Sequence, residues 1–186
     1  RFTTIGPTVG RTLKVRSFWA LATAAVVIVL YIAFAFRNIP KKLNQWKFGV
    51  IAVIALLHDL IITVGLFALI GVFTSFEVDT LFITALLIIL GYSVNDTIVI
   101  FDRVRENLFQ QDRGEEFSVV AERGLQQSIA RSVNTSLSTL IPLSALFVLG
   151  GESIRWFVLT LIVGFLIGTY SSLFLATPLL VFWRKK

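Results

Sequence analysis

LFITALLIILGYSVNDTIVIFDRVREN, residues 81–107, begins as an unbroken apolar run and ends charged. From Leu81 to Phe101 it is long enough to cross about 30 Å of hydrocarbon as a helix. Within that length stand Tyr92, Ser93, Asn95 and Asp96. At about 100° per residue these side chains share one half of the helix, and Leu86, Leu87, Leu90 and Ile98 largely supply the rest. Asp96 lies six residues before Asp102, about 9 Å from the expected helix end. A carboxylate at the bilayer centre costs about 2.5–3.5 kcal/mol on insertion scales, so it normally faces a bundle interior, a cavity or a partner.

The rest of the chain fits this membrane reading. Its 186 residues are 56% hydrophobic, with a mean hydropathy of +0.84, too apolar for a soluble globule. Four further runs can span, near Phe18–Phe36, Phe48–Phe73, Ser128–Leu149 and Trp156–Pro178. The expected fold class is therefore an all-α integral membrane protein, a bundle of five transmembrane helices with a short extended segment at the N-terminus. None of the runs is a signal peptide: the first lacks a small-residue cleavage site and four more follow. Residues 1–16, with Gly6, Pro7 and Gly10, read as the end of an extracytoplasmic domain or a linker. Residues 17–183 read as the transmembrane domain, with an amphipathic cytoplasmic connector at about 103–127 on which Phe117, Val120 and Ala121 recur at helical spacing. Residues 184–186 form a basic tail.

Most of the bases behind the net charge of +6 follow three of the spans: Arg37, Lys41, Lys42 and Lys47; Arg103, Arg105, Arg113 and Arg123; Arg184, Lys185 and Lys186. Those ends share one compartment in a five-helix chain, and the positive-inside rule makes it the cytoplasm, with the N-terminus outside. Arg1, Arg11, Lys14 and Arg16 instead precede the first span and read as part of a translocated domain, which the charge rule governs poorly. The loop at Ser75–Asp79 carries Glu77 and Asp79 and no base, as an outer loop does. The charges read as solvated loops and contacts with membrane lipid, with no nucleic-acid footprint.

A second polar stripe follows. In ARSVNTSLSTLIPLSAL, residues 130–146, Arg131, Thr135, Ser138, Thr139 and Pro142 fall on one helical face. Arg131 begins its span about as deep as Asp96 ends the previous one, so the two can meet, with Asn95 and Asn134 as secondary hydrogen-bonding groups. Pro142 frees the carbonyl near Ser138; hydroxyls and freed carbonyls can support a chain of waters. A carboxylate held there is suited to exchanging a proton. The candidate proton relay is thus Asp96, Arg131, Asn95, Thr135, Ser138 and Thr139. Asp59, beside the single histidine His58 in LLHDLI, is a secondary candidate. Thr160, Gly164, Gly168 and Ser172, four residues apart, let a neighbouring helix approach closely.

Several chemistries are disfavoured. One histidine and no cysteine leave zinc without ligands, and no Walker-type loop is present to hold ATP. No glycine-flanked serine faces His58, and Asp59 and Asp96 lack the glycine-flanked setting of an intramembrane aspartyl protease and are expected at different depths. No cofactor is expected, and the chain reads as a non-enzyme. The rival readings are a structural subunit with a static Asp–Arg pair and half of a proton-driven small-molecule exporter.

GYSVNDTIVIFDRVREN followed by RSVNTSLSTL resembles the signature of the SecF family of protein-export membrane proteins, separate or as the second half of a fused SecDF. GPTVGRTL and FALIGVFTSFEVD fit it as well. The resemblance covers essentially the whole chain. It implies a resistance-nodulation-division type of transporter fold with six helices per half, of which this chain holds five. It also implies SecD, the SecYEG translocon and a preprotein as partners, and use of the proton-motive force to complete export across the cytoplasmic membrane. The family's membrane aspartate and arginine, implicated in proton conduction, match Asp96 and Arg131.

Overall fold

The computed structural model describes residues 7–36, 45–111 and 114–184. Five helices in it are long and apolar enough to cross a membrane, and no strand occurs among the described residues. They are α1 (Pro7–Ala35), α2 (Gln45–Phe73), α3 (Thr80–Phe109), α4 (Phe117–Leu149) and α5 (Glu152–Ser171). A π-helical turn (Ser172–Ala176) joins α5 to a last short helix, α6 (Thr177–Arg184), which completes the fifth span.

Two boundaries differ from those expected of the sequence. The lead before the first span is already helical from Pro7. Proline is well suited to a first helical turn, where its missing N–H is not needed, and the cost of Gly10 is only about 1 kcal/mol. Any extended lead is confined to residues 1–6, which lie outside the described residues. The separate connector helix at about 103–127 does not form: α3 runs on to Phe109 and α4 starts at Phe117. Its apolar residues explain why. Phe117, Val120 and Ala121 are buried with Val104, Leu108, Phe101 and Phe48 in one cluster, so the amphipathic stripe covers the end of the bundle and extends α4 instead of standing apart.

α3 is the central helix and touches each of the other four long helices. One end of the bundle is closed by that cluster, where Phe36 and Phe48 stack with ring centres 5.3 Å apart. The opposite end is closed by Phe67, Phe76, Phe82, Ile89 and Phe165, with Trp156 packed against them. Between the two lie buried polar side chains: Asp59, Ser93, Asp96, Thr97, Ser132, Ser136, Ser171 and Ser172.

The helix ends are tied by short-range chemistry. Asp79 caps α3 by accepting from the Phe82 backbone N–H at 2.8 Å, which satisfies one of the orphan donors of a helix start. Arg105 donates to the Ala35 carbonyl at 3.0 Å and Lys47 to the Trp183 carbonyl at 3.0 Å. Two bases expected in solvated loops thus neutralise carbonyl-rich helix ends. Arg123 pairs with Glu115. Arg37, Lys41, Lys42, Arg113, Lys185 and Lys186 lie outside the described residues.

The small-residue stripe of the last span faces α3. A Cβ at Gly164 would stand 2.1 Å from Ile89 Cδ1, and one at Gly168 would stand 3.1 Å from Ser93 Cβ. Ile89 is fully buried and has no free direction in which to move. Gly164→Val is expected to lower stability by about 1–3 kcal/mol, the usual cost of overpacking, and so to depress the thermal unfolding midpoint in nanodiscs. Gly65, with nothing within 4 Å of its added Cβ, is the control: Gly65→Ala is expected to leave that midpoint unchanged or raise it.

Candidate functional site

The polar layer exists because polar atoms at bilayer depth need protein partners, with no water to accept them. Asp96, on the α4 side of α3, is buried; its Oδ1 accepts from Ser132 Oγ at 2.6 Å, while its Oδ2 is buried with no hydrogen-bond partner. From Ser132 the contacts continue along α4 towards α5. Ser136 Oγ donates to the Ser132 carbonyl at 2.8 Å, Tyr92 OH donates to Ser136 Oγ at 3.0 Å, and Ser136 Oγ and Thr169 Oγ1 lie 2.6 Å apart. The Tyr92 ring stacks on Phe165. A carboxyl group with one oxygen held and the other open can carry a proton on the open oxygen; the Tyr92, Ser136 and Thr169 hydroxyls lead to the Ser132 backbone carbonyl and not to the hydroxyl that holds Asp96.

A second cluster surrounds Asp59, which is 1% exposed. Its Oδ2 accepts from Ser93 Oγ at 2.5 Å and Ser171 Oγ at 2.8 Å, and its Oδ1 lies 3.0 Å from His58 Nδ1. The neighbouring histidine is thus a partner of Asp59 even though the two residues leave the helix in different directions. Ser93 is three residues before Asp96 on α3, about 4.5 Å of helical rise. The two acids therefore lie within a turn of one another in depth, closer than the sequence suggested.

The remaining expected relay residues are arranged differently. Arg131, Asn95, Thr135 and Ser138 are exposed on the outside of the bundle and Thr139 is half-buried. No ion pair joins Arg131 to Asp96 among the described residues. Ser138 donates to the Asn134 carbonyl at 2.8 Å and Thr139 to the Thr135 carbonyl at 2.8 Å, both within α4. The interior face of α4 is instead Gly124, Ser128, Ser132 and Ser136. That four-residue spacing is visible in GLQQSIARSVNTS, residues 124–136, and is the signal that a search anchored on the arginine passes over by one position.

The whole chain, residues 1–186, matches the family model described as protein export membrane protein SecD/SecF, C-terminal. It is 47% identical over 185 residues to the protein translocase subunit SecF of Thermobaculum terrenum, covering 100% of this chain and 57% of that protein. It is 45% identical to the SecF subunit of a Synechocystis species, covering 98% of this chain and 55% of the relative. Against the protein translocase subunit SecDF of Thermus thermophilus the identity is 39%, with 98% of this chain and 23% of the relative covered. A crystal structure of SecDF in a super-membrane-facing form superposes with a TM-score of 0.81 and 38% identity, over 97% of this chain and 22% of that one. The chain thus spans a little over half the length of these SecF relatives.

Among the described residues Ser132 supplies the only side-chain hydrogen bond to Asp96, so Ser132→Ala is expected to destabilise the protein by about 1–3 kcal/mol by leaving a buried acceptor without a donor. Thr139→Val, which removes a hydroxyl bonded only within its own helix, is expected to change stability by less than about 0.5 kcal/mol. Urea unfolding in mild detergent compares the two.

Proposed function

The chain belongs to the SecD/SecF family of protein-export membrane proteins, and on that premise we propose that it is a membrane subunit of the Sec machinery that uses the proton-motive force to promote preprotein translocation. Its place is the bacterial cytoplasmic membrane, with the basic helix ends in the cytoplasm and the start of α1 outside, as the positive-inside rule directs. The observation that carries this reading is Asp96: a carboxyl group in the middle of the central helix, with one oxygen held by Ser132 and the other open.

The exposed residues of α3 and α4 support a partner on that face. Asn95, Arg131, Asn134, Thr135 and Ser138 are exposed at membrane depth, and an arginine facing lipid there costs about 2.5–3.5 kcal/mol on insertion scales. That face needs polar cover, and we assign it to the helices of SecD. One relative is named SecDF as a single subunit, which supports SecD as the partner. Protons then pass between the two bundles: from outside along Thr139, Ser138 and Thr135 to Asp96, and out past Arg131 to the basic cytoplasmic ends. The change in helix packing on protonation is passed to the extracytoplasmic part of the protein, beside SecYEG, where the preprotein emerges.

Asp96→Asn tests this reading. The amide is nearly isosteric with the acid and keeps an oxygen for Ser132, but it cannot cycle a proton. The variant is expected to insert and assemble with SecD while losing proton-driven export, measured as translocation of a labelled preprotein into inverted vesicles with and without an uncoupler. Uncoupler-sensitive export at the wild-type rate would overturn the relay and favour a purely structural role for the acid.

A further inference from the structure

The two buried acids have unlike surroundings. Among the described residues Asp96 has one side-chain donor and an open oxygen. Asp59 is enclosed: Ser93 from α3 and Ser171 from α5 both donate to Oδ2, and the His58 ring nitrogen faces Oδ1. Three elements of the bundle meet at that one carboxyl group.

The π-helical turn makes the meeting possible. Ser171 and Ser172 are consecutive and both fully buried, yet they serve different neighbours. Ser171 donates to Asp59 on α2, and Ser172 lies 2.9 Å from Thr97 Oγ1 and donates to the Ser93 carbonyl at 3.4 Å on α3. The wider π turn begins at this pair, and such turns interrupt the regular ladder where a helix must re-aim side chains. Gly168, one turn earlier, leaves its own face open to Ser93. The segment from Ser93 to Thr97 is therefore clamped by α2 and by α5, while Asp96 is directed towards α4 and Asn95 outward.

We propose that Asp59 is a positioning residue: its carboxyl group is a fixed acceptor that holds the Ser93–Thr97 turn of α3, and so aims Asp96 at Ser132, without exchanging a proton itself. The functional part of this statement rests on the proton-carrying reading of Asp96; the structural part does not.

The hydrogen-bond inventory gives a discriminating substitution. In Asp59→Asn the amide oxygen can accept from both serines, as Oδ2 does, and the amide N–H2 can donate to His58 Nδ1 in the tautomer that leaves that nitrogen bare. The amide thus keeps all three contacts while removing the carboxylate's charge and its ability to exchange a proton. Asp59→Leu keeps the branched heavy-atom skeleton and removes every acceptor, leaving the buried Ser93 hydroxyl without its acceptor and Ser171 with only the Gly168 carbonyl of its own helix at 3.1 Å.

The intact SecD-containing complex, reconstituted in liposomes, provides the test, with proton conductance normalised to the amount of assembled complex. Asp59→Asn is expected to keep conductance within about threefold of wild type, and Asp59→Leu to lose about tenfold, the factor that corresponds to about 1.4 kcal/mol. A loss in Asp59→Asn as deep as that in Asp96→Asn would make Asp59 a proton carrier and overturn the proposal. Undiminished conductance per complex in Asp59→Leu would overturn it from the other side. Should Asp59→Leu fail to assemble, Ser171→Ala removes a single donor and is expected to lower conductance per complex; no change there would equally sink the idea.

A second readout separates this proposal from the relay. Solid-state NMR recoupling between labelled Asp96 Cγ and Ser132 Cβ reports their contact whether or not protons move. The contact is expected to persist in Asp59→Asn and weaken in Asp59→Leu or Ser171→Ala. If Asp96→Asn conducts normally, the relay fails while the NMR result still decides the positioning role. If the contact is unchanged in every Asp59 and Ser171 variant, the positioning role fails and the relay stands.

Discussion

The structure is organised by the need to satisfy carboxyl and hydroxyl groups in the middle of a bilayer. A buried polar atom there has no water to fall back on, so most of them dictate a neighbour, with Asp96 Oδ2 and the Thr63 and Thr177 hydroxyls as the exceptions among the described residues. Asp59 draws a serine from α3 and another from α5, and Asp96 draws one from α4. The apolar clusters at the two ends supply the bulk of the burial, but apolar packing is tolerant of sliding and rotation. The hydroxyl contacts are not, and they fix the rotation of α2, α4 and α5 about the central helix.

Within this layer the two acids have unlike surroundings, and the roles proposed for them rest on that difference. A carboxyl group that is fully partnered is a good fixed point, because any change of its state disturbs several helices. One that keeps an oxygen open is a good place for a proton, because occupancy changes without breaking a bond. Asp59 has the first arrangement and Asp96 the second. Asp59 on α2 holds Ser93, three residues before Asp96 on α3, which is how the proposed fixed point would set the aim of the proposed proton carrier. The outer face of α3 and α4, where Asn95 and Arg131 stand exposed, then belongs to the proposed partner.

Much of this was legible in the sequence. The five spans follow from apolar length alone, and Asp96 stands out because a carboxylate in hydrocarbon is costly. The glycines of the last span could be assigned to close packing, since the spacing of Gly164 and Gly168 fixes a single face. The arrangement around Asp96 was less accessible. An arginine demands a partner more loudly than a serine does, so Arg131 drew attention to its own face of α4, while Ser132, one residue on, holds the acid. The long ends of α3 and α4 were hidden for a different reason: charged residues at 102–106 mimic a loop when read along the chain. In the structure Arg105 reaches the α1 end, and Arg103 pairs with Glu106 on the surface of a continuing helix.

The central claim, that Asp96 changes protonation in a setting shaped by Ser132, is open to direct observation by infrared spectroscopy of the isotope-labelled, SecD-containing complex over a range of pH. The protonated carboxyl band that Asp96→Asn removes should appear and vanish reversibly with pH, and its frequency should change in Ser132→Ala. A band that stays constant over the whole range in which the complex remains folded would show that Asp96 keeps one protonation state, and the account would fail.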